Sequence, residues 1–294
     1  MTDQAASVPR RESSLLRLVK GFALIRESAV GTIGLAIVAF WVLVAILAPL
    51  LAPFPPNQPI MPMVTPGTES PTGGVFWLGT DHLGRDILSR IIYGSGQVLL
   101  YAPLATFCAY LVGIPMGLAA GYRRGITDDV LSFIANVILS FPVLVLYIII
   151  IATIGASGTN IVIAVTFASA PGIMRIVRGL VLDLRNREYV FAAETRGESP
   201  WRIMLMEILP NARGPLIVDS CLRLGYVVIT IGTLGFLGLG LPPPDPDWGG
   251  MVSETRQFSL FMPHMAIFPC IAISSLVLGF NLLADGLREV SMRD

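Results

Sequence analysis

Few residues in this 294-residue chain have the types and spacing for chemistry. Gly155-Ala156-Ser157-Gly158 sets a serine among small residues, and His264 stands far along the chain. A serine nucleophile needs an imidazole within hydrogen-bond reach, and the pair would suit an intramembrane serine protease. The tetrapeptide also falls in a short turn between apolar segments, where small residues are expected on conformational grounds. His82 lies beside Asp81, Arg85 and Asp86. Carboxylates on either side of an imidazole could begin a metal site, but such sites need three or four donors, and a surface ion-pair cluster accounts for the same residues. Asp219 and Arg223 are four apart in an apolar stretch, so a helix puts them on one face. They form an internal ion pair near the inner end of that stretch, or a contact for a solute. Cys108, Cys221 and Cys270 are odd in number, scattered and without CxxC spacing. They read as small buried hydrophobes rather than a disulfide framework or zinc site. One chemistry is excluded outright. A phosphate-cradling P-loop needs GxxxxGK[ST], and the only lysine is Lys20, preceded by Leu18 and Val19.

The elements around these residues are apolar. The chain is 54% hydrophobic and 14% charged, where a soluble domain carries roughly 25% charged residues. Mean hydropathy is +0.72. The net charge of zero gives no basic excess for nucleic acid. Six segments (29–53, 98–122, 130–154, 161–182, 214–241 and 264–285) reach the roughly 20 residues that a helical span needs. The expected class is an all-α integral membrane protein with six transmembrane helices, since helix satisfies its backbone within each segment. With the N-terminus inside, sixteen Lys and Arg residues fall on the inner side and three (Arg85, Arg90, Arg256) outside, with Arg223 in a span. The positive-inside rule then puts both termini in the cytoplasm. Residues 1–28 form a cytoplasmic segment whose stretch 10–27 is basic and amphipathic, suited to lying on the membrane surface or to a plain tail. The apolar run after it exceeds a signal-peptide core. Residues 29–287 form the membrane domain and 288–294 a cytoplasmic tail. No chain of buried carboxylates or histidines supports a proton-coupled carrier.

Three connections are long enough to carry function. The outer loop 54–97 opens with many prolines and is expected as an extended strap. A second outer loop covers 242–263. The inner loop 183–213 is more organised. Arg187 to Thr195 favours helix, Gly197 allows a break, and Ser199 can cap a second helix with Pro200 at its first position. That helix runs through Trp201, Ile203, Met204 and Met206 to Leu209, and Pro210 is expected to stop or kink it. Its apolar residues suit a docking surface for a partner or packing on the chain's own helices.

The stretch AAETRGESPWRIMLMEILPN resembles the EAA motif of binding-protein-dependent ABC importer permeases. Ala192, Ala193, Gly197, Ile208, Leu209 and Pro210 match it, while Phe191 stands where the motif has Glu. LGTDHLGRDILSR (78–90), with Gly79, Thr80, Asp81, Gly84, Arg85 and Asp86, resembles a signature of the OppC/DppC branch, as do GTLGFLGLGLPPPDPDWGGM (232–251) and FNLLADGLRE (280–289). Asn136 departs from the Asp of many relatives. The resemblance implies a MetI-like permease of the bacterial cytoplasmic (inner) membrane. In it a coupling helix at about 191–205, including Ser199, Pro200 and Trp201, would sit in a groove of an ATPase subunit. It further implies a second, homologous permease as heterodimer partner, two ATPase subunits or domains, and an extracytoplasmic substrate-binding protein. No cofactor is then expected on this chain, ATP and magnesium belonging to the ATPases. The implied cargo is di- or oligopeptides, with nickel, opines or oligosaccharides as alternatives. Alternating access would suit Gly113, Pro115, Gly117 and Pro142 within the spans, although small residues serve close packing equally.

Overall fold

The computed structural model describes residues 28–291; the amphipathic stretch expected at 10–27 lies outside them. Eleven α-helices follow in order among the described residues: α1 (Ala29–Ile46), α2 (Ala48–Leu51), α3 (Ile87–Arg123), α4 (Ile126–Leu139), α5 (Val143–Ile154), α6 (Gly158–Leu184), α7 (Glu188–Thr195), α8 (Pro200–Arg202), α9 (Leu209–Phe236), α10 (Trp248–Thr255) and α11 (His264–Ser291). A two-stranded antiparallel hairpin, β1 (Thr68–Glu69) with β2 (Val75–Phe76), precedes α3.

Five helical runs are long and apolar enough to cross a membrane: α1, α3, α6, the run Pro200–Phe236 and α11. The pair α4–α5 passes that test only jointly and is bent by 86°, which gives six crossings when the pair is counted as one broken span. The sequence suggested one continuous span at 130–154. Pro142 breaks it, because proline has no N–H to donate and crowds the preceding turn, and the chain turns through Ser140 and Phe141. Only 22% of the most apolar window of α1 is buried by the chain itself, and Leu50, Ile46 and Phe133 are largely exposed. Such an apolar exterior needs lipid or a partner subunit around it.

Small residues set the helix spacing. Gly113, Gly117 and Gly121 of α3 face Ile173, Val177 and Val181 of α6, and an added Cβ would come within 2.7, 2.5 and 2.7 Å of those side chains. α1 lies on α11 through Gly34 and Gly279, whose added Cβ atoms would meet the Leu283 nitrogen at 2.3 Å and Ile37 at 2.9 Å. Ser28 fixes that pairing, capping α1 while its hydroxyl donates to Glu289 at 2.7 Å. Without a hydrophobic force between helices in lipid, this close approach is what holds them.

The outer loop differs from the expected strap. Its prolines lead into a small folded cap with its own core of Phe54, Val64 and Phe76, the two rings 4.8 Å apart. The cap ends at Asp86, which caps α3 by accepting from the Ser89 N–H at 2.7 Å, so the helix begins at 87 rather than 98. At 37 residues, α3 is about 55 Å long and extends beyond a bilayer core. The second outer loop contains α10. The last helix continues through Ser291, where a tail was expected from 288.

Candidate functional site

The inner element joins α6 to α9 and is built by its caps. At the end of α7 the Gly197 N–H donates to Glu194 O at 2.9 Å and the Glu198 N–H to Ala193 O at 3.2 Å, a Schellman turn. It needs the φ of +74° that Gly197 adopts. Ser199 then caps α8 through the Arg202 N–H, with Pro200 in the first turn. Pro210 does not stop the helix. A π-helical stretch, Ile203–Ile208, leads straight into α9, the Leu209 N–H reaching back to Met204 O. Widening the turn ahead of Pro210 accommodates its missing donor.

The element has two faces. Val190, Ala193, Ile203, Met204 and Ile208 are buried against Leu118, Ile173, Val177 and Val181, and Leu209 is half-buried beside them. On the other face Phe191, Trp201, Leu205 and Met206 are exposed, with Ala192, Gly197, Ser199, Pro200 and Pro210. Packing on the chain's own helices holds for the first face, and the second carries exposed residues of the kind the docking reading named. Polar ties fix the element to the end of α3. Tyr122 Oη donates to Glu194 at 2.8 Å and the Arg123 guanidinium lies over the Trp201 ring at 5.4 Å, while Arg196 pairs with Glu198 within the element itself at 2.8 Å. None of these ties was singled out from sequence; the dense charge between 194 and 207 was the available signal. Phe191, exposed, occupies the position where an EAA glutamate would stand.

At the other end the two outer loops meet each other. Asp81 accepts from the N–H groups of Leu83 and Arg85, both at 2.9 Å, and pairs with Arg85 Nε at 2.6 Å. Arg85 Nη2 reaches Glu254 of α10 at 2.5 Å. Thr80 Oγ1 accepts from the Val64 N–H at 3.1 Å and donates to Met61 O. Gly79 and Gly84 have positive φ and lie against the backbone of Val64 and Met61. The signature 79–86 is thus a buried turn. Trp248, fully buried, donates to Ile91 O at 2.9 Å and lies over Gly94. Asp247 caps α10 through the Gly249 N–H, and burial pushes its carboxyl up to about 6. Burial also raises Asp86 above the usual carboxylate range, against its Ser89 hydrogen bonds. His82 stacks on Phe258 with centroids 5.7 Å apart, and among the described residues no three His, Cys, Asp or Glu side chains group as metal ligands. Ser157 is committed as the cap of α6. Its neighbour Gly158 lies against Tyr101, whereas the His264 ring lies against Gly79, so the two residues of the protease reading sit among different neighbours.

Between these ends, Arg223 Nε lies 2.8 Å from Asp219 Oδ2, and Tyr110 Oη donates to the same oxygen. Because α9 runs 209–236 rather than 214–241, the pair stands near its middle and not at the inner end.

The chain as a whole is similar to known proteins. Residues 113–293 match the family described as binding-protein-dependent transport system inner membrane component. The chain belongs to this family. Residues 25–66 also match the N-terminal TM domain of oligopeptide transport permease C. The dipeptide transport system permease protein DppC of Alkalihalophilus pseudofirmus is 37% identical, over 92% of this chain and 88% of the relative. The glutathione transport system permease protein GsiD of Pectobacterium atrosepticum is 41% identical over 72% and 71%. DppC of Haemophilus influenzae is 35% identical over 90% and 89%. In fold, the permease is similar to a chain of the MetNI methionine ABC transporter solved in inward-facing conformations, with a TM-score of 0.57 at 19% identity, covering 69% of this chain and 97% of that one. The OppC/DppC resemblance and the MetI-like helical fold are therefore established. The chain is a multi-pass inner-membrane transport permease, a non-catalytic membrane subunit.

Proposed function

We propose that this permease forms half of the solute pathway of an ATP-driven, binding-protein-dependent importer of di- or oligopeptides, with both termini cytoplasmic. One observation carries the reading: the element 188–208 is anchored on one face and apolar and exposed on the other. Phe191, Trp201, Leu205 and Met206 project from the Arg-rich end of the bundle, where the charge bias puts the cytoplasm. An ATPase subunit seated on that face pushes on Ile203, Met204 and Ile208, and through them on α3, α6 and α9. ATP binding there selects one of two helix packings. ATP and magnesium sit in two ATPase subunits, a second homologous permease completes the pathway, and a binding protein delivers solute to the outer cap. The dipeptide and glutathione relatives support a peptide cargo.

The test is reconstitution with the companion permease, the ATPases and the binding protein. Uptake of a labelled dipeptide is expected to require ATP and to vanish when the ATPase Walker lysine is replaced. Uptake by this chain alone, or uptake indifferent to that replacement, contradicts the reading. Uptake of nickel, an opine or an oligosaccharide in place of peptide changes the cargo and leaves the machinery.

A further inference from the structure

The residues Asp219, Arg223, Tyr226, Thr230 and Thr233 follow one another at three- and four-residue steps along α9, so they share one helix face. None of the five is buried by this chain, and Tyr226 is 68% exposed. A polar, charged stripe halfway along a span does not face lipid, because ionisable groups at that depth are expensive unless they meet water or a partner. The stripe borders a crevice of about 60 Å³ lined by Arg223, Tyr226 and Thr230 of α9, Thr106 of α3, Tyr147 of α5 and Ser169 of α6. Four helices thus bring hydroxyls to one guanidinium.

The guanidinium is held in a particular way. Its Nε donates to Asp219, whose carboxylate also accepts from Tyr110. The terminal nitrogens lie toward Gly172, where an added Cβ would stand 3.6 Å from both. The hydroxyls of Thr106, Thr230 and Thr233 donate to their own helix backbones, leaving lone pairs but no strong competing charge. A guanidinium fixed at one edge can offer its other edge to a planar anion as a fork. The space beside the guanidinium admits a carboxylate group.

We propose that this crevice is a carboxylate-holding station on the solute pathway, Arg223 being the binding group, Asp219 and Tyr110 its positioning residues. The inference rests on the peptide-import reading and adds the chemistry by which the membrane subunit itself handles a peptide, through its C-terminal carboxylate.

The test uses the assembled importer with Cys108, Cys221 and Cys270 changed to Ser and Thr230→Cys introduced. Modification of this chain is followed by mass with an anionic methanethiosulfonate (ethylsulfonate) and a cationic one (ethyltrimethylammonium). With each rate divided by that reagent's rate toward a small free thiol, the anionic reagent is expected to react about tenfold faster, as the free edge of the guanidinium favours it, and Arg223→Gln, which leaves the Asp219 carboxylate unpaired, should reverse the preference. Alanyl-alanine should slow the anionic reaction, and its C-terminal amide should not. Equal reactivity toward both reagents with Arg223 in place, or equal protection by dipeptide and amide, overturns the proposal. Because the Thr230→Cys ratio is read with Arg223 intact, a failure of Arg223→Gln to assemble leaves the test decisive. Uptake of alanyl-alanine by the unsubstituted importer is measured separately. Its absence removes the peptide reading, while the reagent ratio still decides whether the crevice holds anions.

Discussion

Arg85→Leu tests how the outer cap is held. Arg85 is 6% exposed and Asp81 3%, whereas the side chain of Glu254 is 31% exposed. Water can therefore take over at Glu254, and that half of the network contributes little. Asp81 has no such recourse to water. Removing the guanidinium leaves its buried carboxylate with Arg90, whose Nε lies 4.0 Å from Asp81 Oδ2, as the remaining counter-ion, where a buried carboxylate with none loses roughly 3–5 kcal/mol. Two backbone N–H groups still donate to Asp81, which places the expected cost at the low end, about 3 kcal/mol. At 1.36 kcal/mol per tenfold, that is a rise of about 150-fold in the open population of the cap. Amide hydrogen exchange in the solubilised protein reads this locally: the amides of 60–86 should lose about two orders of magnitude of protection, and the α3–α6 seam should not. Adding Asp81→Asn should recover part of the loss. Protection of 60–86 within twofold of the unsubstituted protein would refute the reasoning.

Other outcomes follow from the same geometry. Gly117→Val puts side-chain atoms where Val177 stands, 2.5 Å from the added Cβ. It should lower the melting temperature in detergent by an overpacking cost of about 1–3 kcal/mol, whereas Gly96→Ala, within α3 and with nothing within 4 Å, should not lower it and should raise it slightly through helix propensity. Gly197→Ala forces a Cβ into left-handed backbone at φ +74°, a cost of about 1–2 kcal/mol. Uptake should fall more than assembly, measured by co-purification of the ATPases. Asp247 binds its proton more tightly folded than unfolded, with a value of about 6 against 3.8. Its contribution to cap stability therefore falls as pH rises from about 4 to 6 and is flat above. Melting profiles between pH 4 and 7.5 should show that fall, and Asp247→Asn should remove it.

The fold was legible where one physical rule dominates. Apolar length marked the spans, and Ser199-Pro200 and Gly197 marked the inner element, because caps and positive φ are local demands. Pro142 was visible, but whether a proline bends a span by 86° depends on what packs beside it. Pro210 was misread for the same reason: a π-helical turn, set by the burial of Ile203, Met204 and Ile208, admits it within one long helix. The folding of the outer cap was hidden because Glu254 stands 169 residues from Arg85, and which partner the charged turn 81–86 meets, the other outer loop or a separate protein, is decided only by tertiary packing. Thr106, Tyr147, Ser169 and Thr230 carried no signal for the crevice either, since single hydroxyls in four separate spans converge only once the helices are packed.

The most direct test concerns the exposed face of the inner element. A photo-crosslinking side chain at Met206, 68% exposed, is introduced in the assembled importer, with Leu50, 83% exposed on the apolar exterior, as comparison. The account predicts an adduct between Met206 and an ATPase subunit whose yield changes with ATP, and none from Leu50. An ATPase adduct absent at Met206 while the complex still imports solute, or a Met206 site reached by membrane-impermeant reagent from outside the cell, would contradict it.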